Sequence, residues 1–336
     1  MYLRQTCNIE FETKAGIKYR LKGLHAYDGK KSVHQTIQNC KLELPLSVMY
    51  RNNEILERVK LIDKIKEGDK VTIWLGYNDN NTQEFNGFIK RINPKMPLEL
   101  EVEDELYLMR KIRLTKVFKK NDVKEVITYI LDELYKQQGL KVAVYADMPK
   151  VEVFNFWMNQ ANGITALQEL EEKYLVNSFL TEINGIKTLY VGLMYGLKKN
   201  TVKYIFNRNT ITIEDLKYSN PGDRTFKVEM RHVSESGKVT TYDFGDPKGE
   251  VQKIQLEGSW TEAALKHYAD GVIQGLQAGG YKGSFTTFLI PKIEPADIGD
   301  CTDNQFKERS GNYYISTVTT KFGSGARRTP EIEIRL

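Results

Sequence analysis

Polar and apolar residues alternate through Lys70-Val71-Thr72-Ile73-Trp74-Leu75, so Val71, Ile73 and Leu75 predict a strand with one buried face. Phe85-Asn86-Gly87-Phe88-Ile89-Lys90-Arg91-Ile92 supplies its return partner, bracketed by Phe88 and Ile92. A longer version closes the sequence: Ile298-Gly299-Asp300, then Gly311-Asn312-Tyr313-Tyr314-Ile315-Ser316-Thr317-Val318, then Lys321-Phe322-Gly323. In both places a Gly-Asp turn (Gly68-Asp69 and Gly299-Asp300) opens an alternating strand, a polar loop follows, and a Gly-led strand returns. The period slips between Ile315 and Val318, which a β-bulge would absorb. Hairpins beginning Gly-Asp are common in β-rich chains, so the repeat gains weight only from what surrounds it.

Residues 1 to about 110 read mainly as strands, at Cys7 to Phe11, Lys18 to Leu21, Lys41 to Val48, Val71 to Leu75, Phe85 to Ile92 and Leu98 to Leu106. A middle part, 111–199, begins with a helix in which Asp122 and Glu125 form a capping box ahead of Val126, Ile127, Ile130, Leu131 and Leu134, stopped at Gly139. A second helix is expected from Thr165, with Gln168 as its capping partner, followed by a hairpin from Ser178 to Val191 turning at Asn184-Gly185. Strands resume in 200–336, interrupted by a helix from a Ser259 cap through Ala263, Leu265, His267, Tyr268 and Val272 to the glycines at 275, 279 and 280. The expected fold is mainly β with a smaller α+β part: two related β-barrel domains, 1–110 and 200–336, flank a helix-containing middle domain.

Composition narrows the function classes. The 336 residues exceed one small core, and 40% hydrophobic with 28% charged residues indicates a globular chain. No stretch reaches the roughly 18 uncharged apolar residues of a membrane helix, and Met1-Tyr2-Leu3-Arg4-Gln5-Thr6 is no export core. Three scattered cysteines, Cys7, Cys40 and Cys301, make a disulfide framework an unsuitable reading, and with His25, His34, His232 and His267 they form no metal-ligand spacing. Charge is modest at +5 but uneven: Glu99, Glu101, Glu103, Asp104 and Glu105 precede Arg110, Lys111, Arg113, Lys116, Lys119 and Lys120. Such a switch marks either a solvated strand edge and loop or opposite charges at a domain or subunit junction. Only Phe118 interleaves with the lysines between 111 and 120, so nucleic-acid sequence recognition is not expected.

Catalytic patterns are missing. The glycines near 275–280 follow a helix, whereas a phosphate cradle requires a helix N-terminus after them. Glu101 and Glu103 are expected to face solvent, because Leu100, Val102 and Leu106 are the apolar positions, and Glu171 and Glu172 belong to a helix's polar face. No Gly-x-Ser-x-Gly elbow occurs, and no catalytic residue, metal or cofactor is assigned.

Phe288-Leu289-Ile290-Pro291-Lys292-Ile293-Glu294-Pro295-Ala296-Asp297-Ile298-Gly299-Asp300, with Gly311-Asn312-Tyr313-Tyr314-Ile315 and Phe322-Gly323, resembles the last barrel of contractile-tail baseplate hub proteins. That family includes phage late-control D proteins and the N-terminal hub region of the type VI secretion spike protein. Phe154-Asn155-Phe156, Thr165 to Leu170 and Asn184 to Gly192 resemble its middle stretch, and Gly68 to Tyr77, Phe85 to Ile89 and Glu101 to Leu106 its first barrel. One departure is that the usual Pro-Gly-Asp before the last barrel's strand reads Ala296-Asp297-Ile298-Gly299-Asp300.

The resemblance implies a non-enzymatic virion structural protein of a phage or prophage tail, or of a related injection system, located at the baseplate and assembled in the bacterial cytoplasm. It implies a homotrimer whose duplicated barrels imitate six-fold symmetry around a channel, joining the tail tube to a separate three-fold spike alongside other baseplate proteins, without stable membrane insertion. Within the matching terminal segment, Phe322, Arg327 and Arg328 are candidates for a barrel edge or assembly contact, arginine being suited to such contacts by its planar set of donors. The alternatives are a tail-associated cell-wall glycoside hydrolase and a host-surface carbohydrate-binding module using Trp74, Tyr77 and Trp260.

Overall fold

The computed structural model describes residues 3–52, 55–148, 150–192, 195–213, 215–219, 225–233, 237–256, 259–277 and 279–336. Its first strands are β1 Gln5–Glu12, β2 Lys18–Leu21, β3 Ala26–Ser32, β4 Asn39–Leu44, β5 Ser47–Asn52, β6 Ile55–Lys60, β7 Lys70–Tyr77, β8 Asn80–Asn93 and β9 Leu98–Asp104. The middle follows with β10 Leu114–Asp122, α1 Val123–Gln138, β11 Ala143–Asp147, β12 Val151–Ala161, α2 Gly163–Tyr174, β13 Asn177–Ile183 and β14 Ile186–Gly192. Then come β15 Thr201–Ile205, β16 Thr210–Thr212, β17 Lys217–Ser219, β18 Phe226–Val233, β19 Val239–Gly245, β20 Glu250–Leu256 and β21 Ser259–Trp260. The chain ends with α3 Glu262–Gln277, β22 Gly280–Ser284, β23 Thr286–Thr287, β24 Ile298–Thr302, β25 Gly311–Phe322 and β26 Arg327–Arg335. The mainly β fold with a smaller α+β part is the expected one.

The first and last strand units are continuous. β25 pairs with β24 and β26 in its own unit and, through Thr317↔Ser32 to Phe322↔Tyr27, with β3 of the first. A 15-stranded sheet therefore runs from β16 through β25 and β3 to β2. β25 is buried along most of its length: Tyr313, Ile315 and Val318 enter the last unit's core, whereas Phe322 enters the first unit's. The expected bulge is present, with register shifts around Ile315.

In the first unit Val71, Ile73 and Leu75 are buried as the alternation predicts, and their return strand contributes Phe85 and Ile89 to the same core. At Gly87 β8 approaches β9 too closely for a side chain, since a Cβ there would lie 1.9 Å from the Glu103 carbonyl oxygen.

The hydrophobic cores do not follow the sequence blocks expected for the domains. Val228, Met230, Leu256, Trp260, Leu265 and Ala269 join one core with Ile127, Leu134, Phe156, Leu167 and Val191. β21 pairs with β12 through Val151↔Trp260, so 226–277 leaves the last strand unit and completes the middle one. The last unit keeps its own core of Tyr204, Phe206, Tyr281, Phe285, Tyr313 and Ile332.

Helix ends separate local signals that hold from those that do not. Asp122 caps α1 through the Lys124 amide, and Gly139 ends it at φ +71. Glu125 does not close the capping box on the backbone; it accepts the Asn121 side-chain amide at 2.7 Å. α2 starts before Thr165, because Asn162 is the cap and accepts the Thr165 amide at 3.0 Å. For α3 the cap is Thr261, whose hydroxyl accepts the Ala264 amide at 3.2 Å, while Ser259 lies in β21. The Ala263 side chain lies outside the described residues.

Candidate assembly site at the junction of the strand units

The repeat is most clearly expressed in a turn. Asp69 donates its amide to the Lys66 carbonyl at 3.1 Å, and its carboxylate accepts the Lys66 amide at 2.7 Å and the Lys14 amide at 3.3 Å. Asp297 does the same to Glu294 at 3.1 and 2.8 Å and accepts the Asn200 amide at 3.2 Å. Around them, Gly68 donates to Ile89 and Ile89 to Asp69 at 2.7 and 2.9 Å, as Ala296 donates to Ile315 and Ile315 to Asp297 at 2.8 and 3.0 Å. Both turns place their third residue in the left-handed region, Gly68 at φ +86 and Ala296 at φ +68.

The partner of Gly68-Asp69 is thus Ala296-Asp297, not Gly299-Asp300, which lies inside β24. Pro295-Ala296-Asp297 supplies the turn that the sequence comparison expected as Pro-Gly-Asp. From this turn onward β24, β25 and β26 repeat the order and antiparallel pairing of β7, β8 and β9.

The three terminal candidates occupy different environments. Phe322 is buried in the first unit's core. Arg328 is 1% exposed and forms an ion pair with Glu84, itself 3% exposed, while also donating to the Leu289 carbonyl. The other Glu84 oxygen accepts the Thr320 hydroxyl at 2.8 Å. Tyr77 donates to the Ala326 carbonyl at 3.1 Å and accepts the Leu289 amide at 3.4 Å. Phe322 and Arg328 are therefore committed to contacts within the chain. Arg327 is exposed, with its guanidinium 5.3 Å from the centre of the Phe288 ring.

Beside this seam lies a polar cavity of about 360 Å³, lined in part by Lys31, Glu84, Glu105, Lys199, Glu294 and Asp297. Lys31 reaches Glu294 at 3.0 Å and Lys292 reaches it at 2.8 Å. Burial pushes the Glu294 carboxyl up, but Lys31, Lys292 and Lys199 outweigh burial and hold it well below the usual carboxylate range. Lys199 is shifted down by burial, against the pull of Asp297 3.9 Å away. The cavity is an internal charge network joining the first, middle and last parts of the chain.

The acidic run is solvated only in part: Glu99 and Glu101 are half-buried, whereas Glu103, expected to face solvent, is buried with Asp104 and Glu105. Glu103 is buried and held by Arg110 at 2.8 Å and Lys90 at 2.7 Å. Asp104 is buried and accepts the Gln38 and Leu106 amides, each at 2.9 Å. Burial pushes its carboxyl up to about 7, against those two amides. Glu105 is buried and holds Lys187 at 2.5 Å.

The basic run finds aromatic partners beyond the interleaved Phe118. Lys111 lies 4.9 Å from the Tyr107 ring centre, Lys116 lies 4.7 and 4.5 Å from those of Phe118 and Tyr129, and Lys120 lies 5.7 Å from that of Phe154.

A larger groove of about 1210 Å³ separates α3 from β26. At its edge the Glu333 carboxylate accepts the Tyr195 hydroxyl at 2.6 Å and meets His34 Nε2 at 2.8 Å. The three cysteines are buried and free, and burial raises the pKa of each thiol, that of Cys301 to about 12. Among the described residues, no group of three or more His, Cys, Asp or Glu side chains could hold a metal, and no helix is long and apolar enough to cross a membrane. Of the aromatics considered for carbohydrate, Tyr77 and Trp260 are buried and Trp74 is half-buried.

The sequence reading missed Glu84, Tyr77 as a hydrogen-bonding group, Leu289 and the Lys31–Glu294 pair. Glu84 falls in a polar loop by sequence, and its partner is 244 positions away. The only local signal is its place directly before the core residue Phe85.

No protein-family model matches the chain, and neither does any curated protein sequence. Solved structures match over nearly its whole length. A tail protein from Neisseria meningitidis aligns with a TM-score of 0.62 and 12% identity over 98% of this chain and 96% of that one. The 43 kDa tail protein of prophage MuSo2 from Shewanella oneidensis aligns at 0.60 and 13% over 97% and 98%. An E. coli type VI secretion component, described as similar to the T4 bacteriophage tail proteins gp27 and gp5, aligns at 0.57 and 10% over 93% of this chain and 74% of that one. The chain has the fold of these proteins.

Proposed function

We propose that this chain is the structural hub of a contractile-tail baseplate, in a phage, a prophage or a related injection system. Three copies surround a channel and join the six-fold tail tube to a separate three-fold central spike, with other baseplate proteins around them. The observation that carries this reading is the repeated turn and three-strand ladder, β7–β9 and β24–β26, held in one continuous sheet by β25 and β3. Three copies of a duplicated unit present six similar faces, which reconciles three-fold with six-fold symmetry. The shared fold with tail and secretion proteins supports the same reading.

The role is architectural and not catalytic. The buried carboxylates described above stabilise the seam and the cavity, each against a named cation, hydroxyl or amide. Arg327 remains the terminal candidate for an assembly contact because its side chain is exposed and has no carboxylate partner among the described residues, donating to the neighbouring Ala326 carbonyl at 2.8 Å.

The test is copy number and position in purified particles. Three copies at the spike end of the tube, seen as a ring by electron microscopy, are expected. Absence from the particle, or a single copy there, would overturn the hub reading. A monomer in isolation would not, because assembly on the spike can create the ring.

A further inference from the structure

Trp157 is 67% exposed and sits directly across the ladder from Val117, itself 46% exposed. A tryptophan on a strand is expected to point inward, and here the backbone turns it out. The buried positions of β12 are Val151 and Val153 before Asn155, but Phe156 and Met158 after it. Asn155 stands at φ +48, a left-handed conformation that non-glycine residues seldom adopt. Had the alternation continued through Asn155 unchanged, Trp157 would fall on the core face. The strained residue thus reverses the strand's faces and presents the ring to solvent.

The surroundings define what could cover it. β10 ends its three-stranded sheet, with β12 on one side and no strand on the other among the described residues. Its exposed positions include Lys116, Lys119 and Lys120, and Lys119 has no carboxylate partner among the described residues. Lys120 lies over the Phe154 ring at 5.7 Å, its one carboxylate neighbour among the described residues is Glu152 at 3.5 Å, and Lys150 shares that carboxylate at 3.4 Å. A second copy of β10 laid against this edge would bring lysines against lysines, which disfavours self-pairing. An acidic strand meets the opposite situation.

We infer that the Val117–Trp157 face and the lysine edge of β10 form a docking site for an acidic, extended segment of a different polypeptide. One apolar side chain of that segment packs on the indole, and its carboxylates face Lys119 and Lys120. The inference rests on the particle reading only for where the partner is found, not for the chemistry of the site.

The experiment adds a carbodiimide to a clarified lysate of cells producing the native assembly, and in parallel to the purified chain. Cross-linked peptides are mapped by mass spectrometry, and Trp157 is probed by hydroxyl-radical oxidation in both samples. The expected result is a bond from Lys119 or Lys120 to an Asp or Glu of another protein, with Trp157 oxidised about tenfold more slowly in the assembly. The Lys119→Glu/Lys120→Glu variant should lose the cross-link and the protection, and its circular dichroism should match the parent's because both side chains are exposed. Cross-links only to a second copy of this chain would overturn the choice of occupant. Equal oxidation in both samples, with no cross-link, would overturn the site itself. Neither outcome depends on whether the chain co-purifies with tail particles, which tests the hub reading separately.

Discussion

At the scale of single residues, the seam depends on charges removed from water. Removing one member of a buried ion pair strands the other, which costs about 3–5 kcal/mol, whereas replacing both with apolar residues is often neutral. Glu84→Leu or Arg328→Met alone should therefore lower urea-unfolding stability by roughly that amount, and the double variant should recover a large part of the loss. Additive losses would show that the pair is not the coupling element. Asp104 makes a pH prediction. Its carboxyl is raised from 3.8 to about 7 in the folded chain, so between those values the folded state holds the proton that the unfolded state has lost. The sign follows: this group's contribution favours folding at low pH and is withdrawn as pH rises from about 4 to 7, with a limiting slope of about 1.4 kcal/mol per pH unit. Asp104→Asn should flatten that part of the stability profile, measured as urea midpoints at successive pH values. An unchanged slope would assign the pH dependence to other groups, such as the His34–Glu333 pair.

At the scale of elements, signals held within a few residues were legible and those completed from elsewhere were not. The strand Lys70–Tyr77, the hairpin at Asn184-Gly185 and the helix from Asp122 to Gly139 each carry their own pattern and punctuation. The caps of α2 and α3 were misplaced because several Ser, Thr and Asn residues stand near each start, and only the folded geometry chooses among them. β3 was not recognised: Ala26-Tyr27-Asp28-Gly29-Lys30-Lys31-Ser32 has little apolar periodicity, and it is held by β4 and by β25 some 290 positions away. The repeated turn makes a discriminating pair of substitutions. Gly68→Ala forces an alanine into the left-handed region, which costs about 1–2 kcal/mol. Ala296→Gly relieves the same strain, but it removes a buried methyl, about 0.8 kcal/mol, and adds unfolded-chain freedom of about 0.4–1 kcal/mol. Gly68→Ala should destabilise clearly and Ala296→Gly should shift the unfolding midpoint very little. Equal and opposite shifts would mean that backbone strain alone governs both turns.

At the scale of the whole molecule, sequence order and spatial order diverge. The chain reads as strands, then helices, then strands, yet the middle core is assembled from two separated stretches, with 226–277 inserted into it from within the last strand unit. No local pattern reports this, because Val228, Met230 and Leu265 are apolar whichever core receives them; only their partners distinguish the middle unit from the last. The divergence predicts how the chain can be cut. A fragment of residues 111–199 carries α1, α2 and their strands but lacks Trp260, Leu265 and Ala269, so the apolar surface these cover would be open to water. Burying an apolar side chain contributes about 1.5–3 kcal/mol, and several such losses exceed the margin by which a small domain is folded. The fragment should therefore show collapsed amide dispersion by NMR and no cooperative thermal transition. A fragment of 111–277 restores those partners and should regain both properties more fully than 111–199. If 111–199 alone unfolds cooperatively with dispersed amides, then 226–277 merely packs against a self-sufficient domain, and the middle core would have to be redrawn along the sequence.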